Sequence, residues 1–399
     1  MDIDLIRRLS IPGETKVVLC VLDGLGGLPG SRRRTELEAA STRHLDRLAE
    51  HGAVGFTLPV GYGITPGSGP GHLALFGYDP LTYEVGRGAL EATGIDFEVG
   101  PDDVVARGNF CTVDEDGRIT DRRAGRIPTE VNEELCSLLS SIELPGVELF
   151  VLPVREHRFV HVLRGEGLDD RITETDPQQE GVAPLAAEAL DPSAARTAEL
   201  VNSFVADART LLASREQANH LTLRGWSGRP DLPQFPELWK LRAAVSAVYP
   251  MYRGLARLVG MEALDAGDSL ETQIDAVRRH WDDFDFFFVH FKDSDTAGED
   301  GDFARKQQAI HDFDECLPKL LELKPNVLVV TGDHSTPSTM AAHSWHPVPL
   351  LFSGDHVRVD RAHHFDELEC SGGGLGTMPA REVLPLAFAH AGRLAKFGA

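Results

Sequence analysis

Hydrophobic runs without a polar alternation mark four segments of this chain. They are KVVLCVL (16–22), DFFFVHF (285–291), NVLVVTG (326–332) and PVPLLFSG (347–354). A strand that is apolar on both faces is covered on both faces, as in a parallel sheet packed between two layers of helices. The four runs therefore predict the buried strands of one such sheet.

Two longer stretches repeat their apolar residues at helical spacing. The first, TELEAASTRHLDRLAEHG, ends at Gly52, a residue type that favours the helix C-terminus. The second, DFARKQQAIHDFDECLPKLLEL, begins at Asp302, a residue type that favours the N-cap. Strands and helices in this order predict an α/β fold with a doubly wound, mainly parallel sheet.

The pattern changes in the middle of the chain. Segments such as HRFVHVLRG alternate polar and apolar residues, and helical segments such as TEVNEELCSLLSSI lie between them. This predicts a smaller α+β domain inserted into the first. The Pro- and Gly-rich segment 224–237 is expected to be the return crossing. The predicted domains are therefore 1–89 with 231–399, and 90–230.

Composition limits the partners and the compartment. The formal net charge of -23 over 399 residues argues against nucleic acid or an anionic membrane as a partner. The 5 cysteines form no C-x-x-C pair, which favours a reducing compartment. The N-terminus lacks a signal-peptide core, and no run is long enough for a membrane helix. We expect a soluble, cytoplasmic protein with a small-molecule substrate. An anionic substrate would need local cations, from arginine or metal.

Acidic and histidine side chains follow three of the predicted strands. Because the carboxyl ends of parallel strands meet at one edge of a sheet, we expect these side chains to lie close together. Crowded carboxylates repel one another unless cations lie between them, so the pattern predicts a metal site, with enough ligands for two ions. The residues are Asp23 after the first run, Asp293, Asp295 and Glu299 after the second, and Asp333, His334 and His343 after the third.

Each of these signals also has an ordinary interpretation. DGLGGLPG approximates a dinucleotide-binding loop but lacks the third glycine, and TGDH alone fits a turn with a hydrogen-bonded histidine. Asp295 and Glu299 fit a solvated charged pair, and SGGGLGTMP (371–379) fits a plain loop. Convergence at strand ends favours the metal site. Mixed oxygen and imidazole ligands suit Mn²⁺, Zn²⁺ or Co²⁺ better than Mg²⁺.

Ser68 lies in ITPGSGPGHLALFGYDP (64–80), between Gly67 and Gly69. Its spacing differs from the Gly-x-Ser-x-Gly nucleophile elbow, and the local sequence by itself favours a turn. A metal ion can nevertheless lower the pKa of a serine hydroxyl enough to make it a nucleophile. Ser68 is therefore either a turn residue or a metal-activated nucleophile.

Several segments resemble one enzyme family over essentially the whole chain. VLDGLGG, PGSGPGHLALFGYDP, GRGALEATGI and TGDHSTPSTMAAHSWHPVPLL are similar to archaeal-type cofactor-independent phosphoglycerate mutases, of the alkaline phosphatase superfamily. The resemblance implies an alkaline-phosphatase-like fold and an isomerase of glycolysis and gluconeogenesis. It also implies interconversion of 3-phosphoglycerate and 2-phosphoglycerate through phosphoserine at Ser68, without 2,3-bisphosphoglycerate. Glycerate would stay trapped under the inserted domain, since water would otherwise cleave the phosphoserine.

The resemblance also implies the metal ligands. The family usually has a histidine where this chain has Glu299, so the make-up of the second site is open. A carboxylate can bind Mn²⁺ there, and we expect two divalent ions, Mn²⁺ by preference, with Mg²⁺, Zn²⁺ or Co²⁺ as alternatives. The implied ligands are Asp23, Ser68, Asp333 and His334 for one ion, and Asp295, His343 and Glu299 for the other.

Substrate contacts are implied in the inserted domain. They are His157, Arg122, Arg123 and Arg224, with the choice among Arg122, Arg123 and Arg126 left open. Arginine suits phosphate and carboxylate because its planar fork meets both groups through two hydrogen bonds. A solvated basic run is the alternative for DRRAGR. Rival functions are a phosphatase or phosphotransferase on another small phosphorylated metabolite, or a non-catalytic binding homologue. The oligomeric state is open.

Overall fold

The computed structural model describes residues 2–398, and the chain forms two compact units. The first consists of Met1–Glu84 with Leu232–Ala399, and the second of Val85–Asp231. None of the helices in the described residues is both long and apolar enough to cross a bilayer.

The helices and strands of residues 2–398 are numbered here in chain order. The α-helices are α1 Ile3–Leu9, α2 Glu36–Ala39, α3 Arg43–Glu50, α4 Ser68–Leu75, α5 Arg87–Gly94, α6 Thr129–Leu139, α7 Ala195–Leu212, α8 Phe235–Trp239, α9 Pro250–Leu258, α10 Leu270–Arg279, α11 Asp293–Glu299, α12 Phe303–Leu321, α13 Glu367–Gly372 and α14 Val383–His390. The strands are β1 Val17–Leu22, β2 Ala53–Leu58, β3 Asp103–Val113, β4 Ile119–Asp121, β5 Glu148–Arg155, β6 Arg158–Arg164, β7 His220–Ser227, β8 Ala243–Ala247, β9 Glu262–Ala263, β10 Phe286–Phe291, β11 Val327–Thr331, β12 Val348–Gly354 and β13 Gly376–Pro379. Short 3₁₀ turns occupy Gly30–Arg32, Ala124–Arg126, Pro192–Ala194 and Ala380–Glu382.

The first unit is built on one sheet with the strand order β13-β2-β12-β11-β1-β10-β8-β9. Its neighbouring strands are parallel except at β12, which runs antiparallel to both β11 and β2. The prediction of a doubly wound, mainly parallel sheet is confirmed. The expectation that PVPLLFSG is one of the parallel strands is wrong, because burial on both faces does not reveal the direction of a strand.

Both faces of the central strands are covered, which explains their lack of alternation. Val18 and Cys20 of β1 belong to a core that also contains Ile310 and Phe313 of α12. Leu19, on the other face of β1, is equally buried. Burial of both faces therefore stabilises each strand, by roughly 25 cal/mol for each Å² of apolar surface that is removed from water.

Two local predictions in the first unit are wrong. TELEAASTRHLDRLAEHG forms two helices, because the Asp314 carboxylate accepts hydrogen bonds from the backbone N–H groups of His44 and Leu45 and so lets α3 start separately. The helix ends at a His51 C-cap, one residue before Gly52. SGGGLGTMP is not a plain loop either, since it contains the end of α13 and the strand β13, which pairs with β2.

The N-cap prediction for α12 is confirmed. The Asp302 side chain accepts a hydrogen bond from the Arg305 backbone N–H at 3.0 Å. This bond occupies one of the N–H groups that a helix start leaves free.

The second unit is an antiparallel sheet with helices packed on it. Its strand order is β4-β3-β6-β5, and β7 pairs with β3. Leu135 and Cys136 of α6 share a core with Val201 and Phe204 of α7. The segment 224–237, expected to be the return crossing, contains the boundary between the two units after Asp231, and its first residues are the end of β7, which pairs with β3.

Candidate active site

Three neighbouring strands bring their following residues to one edge of the first unit's sheet. β1 lies between β10 and β11, with Leu22 opposite Phe291 and Val21 opposite Thr331. Asp23 follows β1 directly, and Asp333 comes two residues after the end of β11. The register of these strands therefore places the residues that follow them side by side, as expected.

Ser68 is the first residue of α4, with Gly67 as N-cap. The local interpretation of Ser68 as a turn residue is therefore wrong. Pro70 is tolerated in this first helical turn, where a backbone N–H would have no helical partner. A Cβ added to Gly71 would lie 2.3 Å from the carbonyl oxygen of Asp333, so glycine is needed for the helix to approach this closely.

Three side chains converge on His334 and form a group of four with it. Its Nε2 atom lies 3.2 Å from Ser68 Oγ, 3.2 Å from Asp23 Oδ1 and 3.1 Å from Asp333 Oδ2. Ligands about 2.0–2.1 Å from a tetrahedral ion lie about 3.3 Å apart, which is close to these separations. The two carboxylate oxygens are buried and have no hydrogen-bond partner in residues 2–398. Because unpaired buried acceptors are costly, the group fits a divalent cation.

A second group consists of Asp295, His334 and His343, whose ligand atoms lie within 4.8 Å of one another. His343 Nε2 lies 3.5 Å from Asp295 Oδ1, and the two imidazole rings stack with centroids 3.7 Å apart. Burial opposes protonation of His343, but Glu299 and Asp295 outweigh it and raise its pKa to about 9. The group therefore attracts positive charge. The five residues Asp23, Asp295, Asp333, His334 and His343 are called the ligand cluster below.

Glu299 lies beside the ligand cluster. Its Oε1 atom is 3.5 Å from His343 Nε2, and its side chain is 55% exposed. α11 begins two residues after β10 and ends at Glu299. Positions four residues apart share one face of a helix, so Asp295 and Glu299 both reach His343. The role of Glu299 as a ligand stays a prediction, and the exposed Asp293 contributes to neither group.

Lys292, Tyr252 and His290 also reach these carboxylates, and sequence reasoning missed all three. Lys292 Nζ donates to Asp295 Oδ2 at 2.6 Å and to Asp23 Oδ2 at 3.0 Å, so it connects the two groups. Tyr252 donates to Asp23 Oδ2, and His290 Nε2 lies 3.2 Å from the same atom. Lys292 follows β10 directly and could have been found as a strand-end residue. Tyr252 lies on α9, and nothing in the sequence marks it.

His72 and Thr336 orient the ligands from behind. His72 Nδ1 is hydrogen-bonded to the main-chain carbonyl oxygen of Ser68 at 2.8 Å and lies 3.2 Å from Asp333 Oδ2. Thr336 Oγ1 donates to Asp295 Oδ1 at 2.6 Å and lies 2.9 Å from His334 Nδ1. Partners of this kind fix the direction of a metal ligand and, for a histidine, the nitrogen that stays free.

The charge of Asp23 is held by its neighbours. Burial by itself would raise its pKa, but Lys292, His290 and His334 outweigh burial and leave the pKa well below its ordinary value. Asp23 therefore stays ionised although it is fully buried. An ionised carboxylate without solvent is what a metal site requires.

In the second unit, the structure brings together the predicted Arg122 and Arg224. Both contact Asp176, at 2.9 Å from Arg122 Nη2 and 3.8 Å from Arg224 Nη1. His157 is almost fully buried, and burial, followed by the positive charge of nearby arginines, lowers its pKa to about 4. Arg123 is exposed, and its charge is among those that act on His157.

Sequence reasoning missed three further arginines of this region. Two of them are Arg87 and Arg158, and the third, Arg107 on β3, is nearly buried. Burial lowers the pKa of Arg107 to about 10, and the charges of Arg158, Arg224 and Arg87 act in the same direction. Glu91 opposes this shift. Arg107 lies inside a stretch of β3 that is buried on both faces. Such an excess of guanidinium groups in an acidic chain fits an anionic ligand. The arginine cluster consists of Arg87, Arg107, Arg122, Arg158 and Arg224.

Comparison with known proteins decides the family. Residues 49–218 match the family model described as 2,3-bisphosphoglycerate-independent phosphoglycerate mutase. A Thermotoga neapolitana protein named "Probable 2,3-bisphosphoglycerate-independent phosphoglycerate mutase" is 50% identical over 99% of this chain and 98% of its own length. This chain belongs to the 2,3-bisphosphoglycerate-independent phosphoglycerate mutases. A Thermus thermophilus protein of the same name is 48% identical, with 99% of this chain and 98% of its own length covered.

The mutase is therefore an enzyme of the isomerase class, as the resemblance predicted. Two solved structures share its fold. The cofactor-independent phosphoglycerate mutase from Thermoplasma acidophilum has a TM-score of 0.75 and 33% identity, and covers 94% of this chain and 100% of its own. The PH0037 protein from Pyrococcus horikoshii has a TM-score of 0.84 and 29% identity, with 97% and 100% covered.

Proposed function

We propose that this mutase interconverts 3-phosphoglycerate and 2-phosphoglycerate through a phosphoserine on Ser68, at a site for two divalent metal ions and without 2,3-bisphosphoglycerate. The observation that carries the proposal is the position of Ser68 Oγ, 3.2 Å from His334 Nε2. The same nitrogen lies beside two buried carboxylate oxygens that have no hydrogen-bond partner in the described residues. Membership of the family supports the substrate.

The donor set supports Mn²⁺ as the metal, with Mg²⁺, Zn²⁺ or Co²⁺ as alternatives, because it mixes carboxylates with imidazoles. Bound ions of this kind lower the pKa of a serine hydroxyl and neutralise the charge of the phosphoryl group. The proposed ligands are Asp23, Ser68, Asp333 and His334 for one ion, and Asp295, Glu299 and His343 for the other.

Ser68 carries the phosphoryl group between the two glycerate oxygens. Its Oγ atom gives up its proton and attacks phosphorus, the bond from phosphorus to the glycerate oxygen breaks, and that oxygen keeps the electron pair and takes up a proton. The other glycerate hydroxyl then loses its proton and attacks the phosphoserine, and Ser68 Oγ leaves with the electron pair and takes up a proton. One ester replaces another, so no nucleotide or water is consumed. Ser68 opens the eight-residue helix α4, whose N-terminus favours the negative charge of a phosphoserine.

The arginine cluster binds the phosphate and carboxylate groups of phosphoglycerate, joined by His157 and Arg123. The guanidinium fork suits both anions. Because the pKa of His157 is about 4, its imidazole is neutral at pH 7 and binds an anion as a hydrogen-bond donor. Glycerate must stay bound between the two transfers, since water attacking the phosphoserine would turn the mutase into a phosphatase.

The test follows phosphorus from 3-phosphoglycerate by ³¹P NMR. Protein stripped of metal by a chelator should be inactive. Added Mn²⁺ should produce 2-phosphoglycerate without any 2,3-bisphosphoglycerate, and mass spectrometry after an acid quench should find phosphate on Ser68. Release of free phosphate only, or strict dependence on the bisphosphate, would overturn the proposal.

A further inference from the structure

A buried lysine lies outside both metal groups and is not used by the proposed reaction. Lys306, on α12, is fully buried. Its Nζ atom donates to the main-chain carbonyls of Gly24 at 2.8 Å, Gly26 at 3.0 Å and Thr336 at 2.8 Å. An ammonium has three donors, and here all three are directed at backbone carbonyls.

These carbonyls belong to the two loops that carry metal ligands. The β1 loop (residues 23–27) begins with Asp23, and the β11 loop (residues 333–338) contains His334. Lys306 therefore ties one loop to the other.

Two carboxylates, the buried Glu36 and the partly buried Glu367, hold the same loops from other directions. Glu36 accepts a hydrogen bond from the Ser338 N–H at 2.9 Å, in the β11 loop. Glu367 accepts one from the Gly27 N–H at 2.9 Å, in the β1 loop. Lys306 Nζ lies 3.9 Å from Glu36 Oε2, so the ammonium and the carboxylate also balance part of each other's charge.

The two loops have little freedom to shift against each other. A Cβ added to Gly24 would lie 2.6 Å from Thr336 Oγ1 and 2.7 Å from Asp295 Oδ1. Thr336 itself contacts both Asp295 and His334. A displacement of Thr336 would therefore move a ligand of each metal group at once.

We infer that Lys306 is a positioning residue whose three directed hydrogen bonds set the spacing of the β1 loop and the β11 loop, and so the ion-binding distances of the ligand cluster. This inference rests on the proposed two-metal function. The competing explanation is that the ammonium only neutralises Glu36 and stabilises the fold. The two explanations can be separated by removing the Glu36 charge together with the ammonium. This double change restores the charge balance but not the three hydrogen bonds.

The test compares Lys306→Met with the double variant Lys306→Met/Glu36→Gln, by thermal unfolding and by calorimetric titration with Mn²⁺. The single variant leaves a buried carboxylate without its cation, so its unfolding temperature should fall. The double variant should recover most of that temperature but bind Mn²⁺ about 10- to 100-fold more weakly than the parent, as changes behind metal ligands typically do. At saturating Mn²⁺, kcat should fall and the KM for phosphoglycerate should stay unchanged.

Lys16→Met is the matched control. Lys16 Nζ also donates to main-chain carbonyls, those of Trp281 and Phe284, each at 2.7 Å, but it precedes the opposite end of β1. This control should lower the unfolding temperature and leave Mn²⁺ affinity unchanged.

A double variant that binds Mn²⁺ within threefold of the parent would overturn the inference, and so would one that does not fold, since either result assigns Lys306 to fold stability alone. A parent protein that binds no Mn²⁺ would instead overturn the proposed function, and the inference with it.

Discussion

The ligand cluster of the first unit and the arginine cluster of the second are opposite in charge and in construction. Asp23, Asp295 and Asp333 are fully buried, and Lys292 donates hydrogen bonds to the first two. The arginine cluster gathers guanidinium groups around few acids, among them Asp176. The proposed metal ions and the proposed anionic substrate would complement these two charges. In a protein of net charge -23, local charge decides what binds.

The two clusters also differ in how firmly they are held. The ligand cluster is buried except for the partly exposed His343, and it is hydrogen-bonded on several sides, for example by Thr336 and Lys292. Several arginines, such as Arg87 and Arg158, are exposed. We therefore expect substitutions in the ligand cluster and at Ser68 to affect chemistry and metal binding, and those in the arginine cluster to affect substrate binding.

The largest effect is expected at Ser68. Ser68→Ala should lower kcat by about 10⁴-fold or more, since it removes the atom that is proposed to accept the phosphoryl group. Circular dichroism should show an unchanged fold. Activity within about tenfold of the parent, roughly 1.4 kcal/mol of barrier, would contradict the covalent mechanism.

Arg224→Met tests the other side of the comparison. It should lower kcat/KM by about 10- to 100-fold, mainly through KM, because hydrogen bonds to charged groups contribute about 1.5–3 kcal/mol. Mn²⁺ affinity, measured by calorimetry, should stay at the parent value. Arg224→Lys keeps the charge but not the fork, so it should recover only part of the loss. Loss of Mn²⁺ binding in Arg224→Met would show that the clusters are not independent.

Glu299→Gln tests the edge of the ligand cluster. If Glu299 is a ligand, the loss of its charge should weaken Mn²⁺ binding by about 10- to 100-fold. Glu299→His should shift the metal preference from Mn²⁺ towards Zn²⁺, because imidazole is the softer donor. Asp293→Asn is the control, since Asp293 lies on the same helix outside both groups. If Glu299→Gln binds two ions as the parent does, Glu299 is a bystander.

The smallest effect concerns the stability of the second unit. His161 is fully buried between Phe204 and Trp226, and neither of its ring nitrogens bonds another described residue. Burial lowers its pKa to about 3, so the unfolded chain takes up a proton first as the pH falls. The neutral form of His161 contributes its full stability above about pH 6.5, and this contribution is lost as the pH falls towards 3. Between pH 7 and pH 5.5 the free energy of unfolding should fall by about 1.3 kcal/mol through this residue.

His161→Phe should remove this loss. Urea unfolding at pH 7 and at pH 5.5 gives the free energy of unfolding at each pH. The difference between these two free energies should be smaller in the variant than in the parent. His51→Phe, at an exposed position, is the control and should keep the parent's difference. An unchanged difference in His161→Phe would contradict the assignment of a neutral buried imidazole.

Sequence alone was sufficient where a short segment carries the information by itself. The runs around β1, β10 and β11 predicted the sheet, and the residues that follow these strands meet at one edge because parallel strands share their carboxyl ends. The motif around Ser68 and the TGDHSTP segment led to the mutase family and the isomerase class.

Tertiary structure decided the features that depend on a distant partner. The split between α2 and α3 needs Asp314, and the direction of β12 is set by its pairing with β11 and β2. Tyr252 reaches Asp23 across 229 residues of sequence. Arg107 joins Arg158 and Arg224 because β3 pairs with β6 and β7. Arg107 is buried with its charge because these distant segments surround it, and the local sequence of β3 does not reveal them.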